Sequence, residues 1–162
     1  MRRTLVAGFG NMYRRDDGVS SFVINALRRR TGRPELAPDE DGFDDLGNEI
    51  DTVLLHQLVP ELAVDVAGYD LVIFVDAHVA QMEDDLREEE LDVCYKPATV
   101  SHQLHPCSVL ALANQMHGHA PAGVLLSLRG YDFDFGEGLS DTTAAIVPAA
   151  VDRILDLAGT GA

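Results

Sequence analysis

Three acidic side chains stand where this sequence could place catalytic or metal-binding groups. Asp16 and Asp17 are adjacent and follow a glycine turn, and Asp76 ends a five-residue apolar run. Helix capping accounts for at least one of the adjacent pair, but only one of two neighbours needs to cap, so the other can face a site. A carboxylate at the end of a buried strand is unfavourable unless it is paired or binds a cation. This favours a functional role for Asp76 over the capping of a following turn.

Histidines could complete a cation site with these acids. His102 and His105 lie in one segment just before Pro106, and the residues themselves do not choose between them. Imidazole binds zinc, nickel and copper, and carboxylates with water complete such a coordination shell. An open site for a borderline divalent ion is therefore a hypothesis that the residue types support. The spacing does not establish it, because the sequence has no HExxH motif or comparable ligand cluster.

Other catalytic motifs are missing from the sequence. The turn at residues 8–13 begins like a dinucleotide-binding loop, but Tyr13 stands where the third glycine of G-x-G-x-x-G belongs. Its two glycines are instead expected to permit a tight turn and a close backbone approach. There is no G-x-S-x-G nucleophile elbow and no D-[ST]-G motif. Cys94 and Cys107 are not spaced as a redox motif and are expected to be free thiols.

The elements that would position these residues alternate between strands and helices. Apolar runs predict strands at residues 5–7, 50–55, 71–75 and 124–128, with weaker ones near 43–46 and 93–95. Helical periodicity and end signals predict helices at residues 16–30, 60–66, 106–116 and 140–158, the last kinked or split at Pro148. This order predicts an α/β fold: a single domain over residues 1–162, built as a three-layer α/β/α sandwich with a largely parallel twisted sheet.

The candidate residues lie at one edge of that predicted sheet. In open α/β sheets, sites form outside the carboxyl ends of the strands. Three segments meet this condition, namely residues 8–17, 76–78 and 99–105. They are far apart in the sequence, and the fold could bring them together in one crevice.

Composition limits the classes of partner. The chain of 162 residues has 12 basic and 27 acidic residues and a formal net charge of −15. Nucleic-acid binding depends on lysine and arginine neutralising phosphates, so nucleic acid is not an expected partner. No apolar run approaches the ~20 residues of a membrane span, and the N-terminus lacks the apolar stretch of a signal peptide. We expect a cytoplasmic location, with the acidic runs at residues 39–41 and 83–90 as solvated surface.

Four motifs, in order along the chain, resemble those of the hydrogenase maturation endopeptidases. Residues 8–19, GFGNMYRRDDGV, resemble that family's opening G-x-G-N-x4-D-[DE] motif, and residues 70–77, DLVIFVDA, resemble its central strand ending in D-A. Ser101 and His102 before Pro106 are similar to its S/T-H segment. Residues 130–140, GYDFDFGEGLS, are similar to its late glycine-rich stretch ending in G-L-S. The matches span nearly the whole chain.

The resemblance implies a fold, a reaction and a set of residues. The fold would be of the phosphorylase/hydrolase-like kind. The reaction would be removal of a C-terminal extension from the precursor of a [NiFe] hydrogenase large subunit after nickel insertion. The family's metal-contacting trio maps to Asp17, Asp76 and His102, acting in recognition or catalysis, and the family often has glutamate where Asp17 stands. The nickel would be carried by the precursor.

The resemblance also implies the mode of association, and other functions stay open beside it. The partner would be the large-subunit precursor, which a monomer would contact transiently. The first alternative is a chaperone that binds the precursor or its nickel without cleaving it. A small cofactor-binding domain and a general peptidase are further alternatives. The incomplete glycine motif argues against the former, and the lack of any complete hydrolytic motif argues against the latter.

Overall fold

A single five-stranded sheet forms the centre of the molecule. The computed structural model describes residues 2–79, 84–92 and 104–159. The strands are β1 (Thr4–Phe9), β2 (Ile50–Leu55), β3 (Leu71–His78), β4 (Leu86–Leu91) and β5 (Ala122–Arg129). Their order across the sheet is β2-β1-β3-β5-β4, with every neighbouring pair parallel except β4 and β5. The largely parallel sheet is thus confirmed, with one antiparallel strand at its edge.

Helices cover both faces of the sheet. They are α1 (Val19–Arg30), α2 (Leu62–Val66), α3 (Pro106–His117), α4 (Asp141–Ala144) and α5 (Val147–Ala158). Side chains of β1 and β3 alternate between two buried clusters, so that Ile73 packs with α1 and α5 while Phe74 packs with α2 and α3. Because both faces of the central strands are buried, their sequences are continuously apolar. This is the predicted three-layer α/β/α sandwich.

The described part of the acidic run is solvent-exposed, as predicted, and it also forms a strand that was not predicted. Residues 86–91 form the edge strand β4, in which only the two terminal leucines are partly buried. Glu88 forms a two-pronged ion pair with Arg153 of α5, one arm measuring 3.0 Å. Charged edge strands discourage pairing with other chains, so a strand can form here without an apolar signature. The strand predicted near residues 93–95 lies outside the described residues.

Two weaker predictions have definite outcomes. The short strand suggested near residues 43–46 is wrong, because Phe43–Asp45 forms a 3-10 turn. The split of the last helix is confirmed: α4 and α5 are separate, and Pro148 lies in the first turn of α5, where its missing N–H is tolerated. The hydroxyl of Ser140 accepts a hydrogen bond from the backbone N–H of Thr143 at 3.3 Å and caps α4.

Among the described residues, no helix has the length and apolarity that crossing a membrane requires.

Candidate functional site

A crevice of about 220 Å³ opens at the carboxyl ends of β1, β2 and β3. Its walls come from four separate segments: the turn after β1, the loop after β2, the end of β3 and the residue two positions before α3. The lining residues are Phe9, Gly10, Asn11, Arg14, Asp17, His56, Gln57, Leu58, Asp76 and Leu104. The predicted convergence of the segments around Asp17 and Asp76 is therefore confirmed, and the segment before α3 reaches the crevice through Leu104.

The turn after β1 places Asp17 beside Asp76. Gly10 has φ +146°, a conformation that side-chain-bearing residues rarely adopt, and a Cβ there would lie 2.2 Å from the backbone oxygen of Asp17. The same Cβ would lie 3.9 Å from Asp76 Oδ1. The backbone N–H of Asn11 donates to Asp17 Oδ2 at 3.0 Å and holds the carboxylate in place. The glycine thus permits the close approach that joins the two acids.

Asp76 is an acid with few compensating contacts. Burial raises its pKa to about 7; the backbone N–H of Ala77 opposes this rise, and the negative charge of Asp17 adds to it. The crevice therefore favours either a proton or a cation beside this carboxylate. Perturbed acids in a cleft are typical of functional sites.

Asp16, although adjacent in sequence, has a different role. Its side chain is fully buried and accepts hydrogen bonds from the backbone N–H groups of Tyr131, Asp132 and Ser140 at 2.8–2.9 Å. The hydroxyl groups of Ser140 and Thr143 add bonds of 2.7 and 2.9 Å. Burial alone would raise its pKa, but these bonds lower the pKa to about 2. Asp16 joins the turn to a distant loop, whereas Asp17 faces the crevice.

Helix capping explains neither acid, so that interpretation is wrong. A 3-10 turn, Arg15–Gly18, precedes α1, and no side chain caps either element. The backbone of the 3-10 turn rotates the two side chains to different sides. The Asp16 side chain then contacts the loop of residues 131–143, and the Asp17 side chain lies near the end of β3.

Of the two candidate histidines, His102 and His105, the structure describes only His105. His102 lies outside the described residues, so its place in the site stays a prediction. His105 caps α3, with its Nδ1 accepting from the backbone N–H of Cys107 at 3.2 Å and lying 2.9 Å from Cys107 Sγ. His78, two residues beyond Asp76, contacts Ser127 and the backbone of Asp84. These contacts give His105 and His78 structural roles.

The described residues place two acids in the crevice without a complete ligand set. Within residues 2–79, 84–92 and 104–159, no group of three or more histidine, cysteine, aspartate or glutamate side chains could hold a metal ion. The prediction of a free thiol is wrong for Cys107, which is disulfide-bonded. Cys94, the other cysteine, lies outside the described residues.

Several solved structures share this architecture, and three of them are described as endopeptidases or maturation proteases. The hydrogenase-maturating endopeptidase HybD from Escherichia coli matches with a TM-score of 0.65 and 22% identity, over 97% of this chain and 91% of that one. The [NiFe] hydrogenase maturation protease HycI from Thermococcus kodakarensis gives 0.65 and 20%, over 98% and 93%. A solution structure of an endopeptidase from Escherichia coli gives 0.65 and 25%, over 96% and 91%.

The chain has the hydrogenase maturation endopeptidase fold. No protein-family model matches the sequence, and no curated protein does either. The resemblance carried by the four motifs is thus supported by the three-dimensional structure.

Within the hydrogenase maturation endopeptidase fold, two crevice residues escaped the sequence analysis. His56 and Arg14 are exposed and line the crevice with the two acids. His56 directly follows β2, and this position at the carboxyl end of a strand was the available signal. Arg14 lies inside the glycine-containing motif of residues 8–19, and nothing in the local sequence distinguishes it from the neighbouring Arg15.

Proposed function

We propose that this protein is an endopeptidase that removes the C-terminal extension of a [NiFe] hydrogenase large-subunit precursor after nickel has been inserted. The observation that carries the proposal is the pairing of Asp17 and Asp76 in one crevice of this fold. Solved structures of the same architecture are described as hydrogenase maturation endopeptidases. The sequence motifs for the two acids fall at the crevice walls.

The proposed roles follow from charge. Asp17 and Asp76, with His102, contact the nickel that the precursor carries, so a loaded precursor neutralises the two neighbouring carboxylates. An acid whose pKa lies near neutrality is also suited to accept a proton from an attacking water. Metal polarisation of the scissile carbonyl is the other source of activation. The nickel is therefore treated as part of the substrate rather than as a resident cofactor.

Processing of the precursor tests the proposal directly. The purified protein is mixed with the large-subunit precursor from the same source, with and without prior nickel loading, and the products are followed by gel shift and mass spectrometry. We expect loss of a C-terminal peptide only from the loaded precursor. Asp17→Asn and Asp76→Asn should each reduce the rate by about a thousandfold, the scale of lost acid–base catalysis. Asp39→Asn, in an exposed loop, is the matched control with unchanged processing.

A second pair of variants chooses between the histidines. His102→Ala should stop processing with the fold retained. His105→Ala should destabilise the protein by about 1 kcal/mol through loss of the α3 cap, while processing continues. Normal processing by Asp17→Asn and Asp76→Asn would refute the site. Stable binding of the loaded precursor without cleavage would support the chaperone alternative instead.

A further inference from the structure

The turn that carries Asp17 also presents a cation to the crevice. Arg14 lies three residues earlier, and its carbonyl oxygen accepts from the backbone N–H of Asp17 at 3.0 Å. The Arg14 side chain lines the crevice together with Asp17 and Asp76. One backbone unit therefore sets the positions of a carboxylate and a guanidinium in the same cavity.

Among the described residues, the guanidinium of Arg14 is held at one nitrogen. Its Nε donates to the backbone oxygen of Phe133 at 3.1 Å, and its backbone pairs with Gly136 in the same loop. This contact directs the side chain and leaves its terminal nitrogens as donors without a protein acceptor among the described residues. Arginine binds carboxylates and other anionic oxygens through such paired N–H groups.

Arg14 also differs from most arginines of this chain. Within residues 2–79, 84–92 and 104–159, eight arginines form ion pairs with carboxylates, and Arg14 forms none. Partners are abundant in a chain of net charge −15. Even Asp17 and Asp76, which share its crevice, are not paired with it. A crevice lined by two carboxylates and a guanidinium that are not paired with one another suits a ligand that carries both signs.

The hydrolysis proposed above supplies such a ligand. Water adds to the carbonyl carbon of the scissile bond, the C–N bond breaks, and a proton from the water passes to the leaving amine. Negative charge develops on the former carbonyl oxygen and remains on the product carboxylate. The cationic nickel of the precursor would face the two acids, which leaves Arg14 as the partner for the oxygen.

We infer that Arg14 binds the carbonyl oxygen of the scissile peptide bond and the carboxylate that cleavage leaves on the mature subunit. This inference rests on the proposed function for its substrate. It assigns Arg14 to the substrate's oxygen and the two acids to its metal. Preorganised donors at such an oxygen stabilise the transition state more than the ground state.

Binding of the product peptide tests the inference without a cleavage assay. The probe is a synthetic peptide of the last ten residues of the mature large subunit, prepared as the free acid and as the C-terminal amide, and affinity is measured by calorimetry. The native protein should prefer the acid by about tenfold or more, as expected for a charge-assisted bond. Arg14→Gln should abolish that preference, and Arg14→Lys should keep part of it. Arg30→Gln, at the far end of α1, removes the same charge and should change nothing.

Kinetics on the nickel-loaded precursor give the second measurement. Arg14→Gln should lower kcat by about a hundredfold, the scale of a lost oxyanion donor, with a smaller change in KM. If the native protein cleaves the precursor, and Arg14→Gln keeps both the native kcat and the native preference for the acid, the inference is overturned and the proposed function stands. If the native protein prefers the acid peptide through Arg14 but does not cleave the precursor, the binding role of Arg14 is supported and the endopeptidase function is refuted.

Discussion

Each end of the sheet holds an aspartate, which is fully buried at the amino end and partly buried at the carboxyl end, and the contacts around the two differ. At the amino end, Asp51 accepts bonds from the backbone N–H groups of Gly47 and Asn48 and from the Tyr69 hydroxyl at 2.6 Å. Burial opposes its ionisation, but these bonds hold the pKa of Asp51 below its usual range. At the carboxyl end, burial raises the pKa of Asp76 to about 7.

The difference shows which end is built for a ligand. A fold can stabilise a buried negative charge when it supplies donors, as it does at Asp51. It supplies few at Asp76 and adds the charge of Asp17 nearby. The carboxyl end therefore lacks compensation that only a proton, a cation or a substrate can provide.

Asp51→Asn is expected to give the largest change in stability. Loss of the charged acceptor for four donors, which include the side-chain amide of Asn48, should lower the free energy of unfolding by about 2–4 kcal/mol at pH 7. Because the pKa of Asp51 is lowered by folding, its contribution is present above the unfolded pKa near 3.8 and is lost as pH falls below it. Urea denaturation at pH 7 and pH 3 should show a deficit that shrinks in acid. An equal deficit at both pH values would contradict the charge-based account.

Gly10→Ala should have the next largest effect. The added Cβ would collide with the backbone of Asp17, in a conformation that alanine rarely adopts, and we expect a loss of about 2–3 kcal/mol. Gly32→Ala is the matched control, because Gly32 also has positive φ but has open space around its Cβ, so only about 1 kcal/mol should be lost. Thermal denaturation of both variants measures the difference. Equal losses would mean that the turn does not hold the two acids together by close contact.

Asp76→Asn should change stability in the opposite direction to Asp51→Asn. The folded pKa of Asp76 is raised, so the native protein loses stability as pH rises from about 4 to about 7. The amide does not ionise, and the variant should be more stable than the native protein by about 1–3 kcal/mol at pH 7.5 and by little at pH 4. Urea denaturation at the two pH values measures this, with Asp39→Asn as the control. A destabilised Asp76→Asn at pH 7.5 would show that the ionised carboxylate is well compensated.

The sequence predicts the central parts of the fold because burial leaves a direct record there. The first five residues of β3, 71–75, are continuously apolar, and the acid that follows them marks the carboxyl edge of the sheet. The edge strand β4 leaves no such record, since its exposed side chains are mostly glutamates. Its pairing with β5 is set by tertiary contacts that a local pattern does not contain.

The site could be predicted in outline but not in detail. The adjacent acids Asp16 and Asp17 differ only through partners in the loop of residues 131–143, more than a hundred positions away. The Arg14 side chain is held by the backbone oxygen of Phe133, which is also more than a hundred positions away. Distant contacts decide these roles, so local sequence rules cannot assign them. His102 remains a prediction from the resemblance.

The bonds of Asp16 also bear on when the site forms during folding. The turn at residues 10–18 is made early in synthesis, but the donors that fix Asp16 lie between Tyr131 and Thr143. Contacts so distant in sequence form late, because a long loop must close before they contribute. We therefore expect the crevice to be assembled in the last stage of folding, after the C-terminal quarter of the chain has left the ribosome. A nascent chain would then carry both acids without yet having the cavity that unites them.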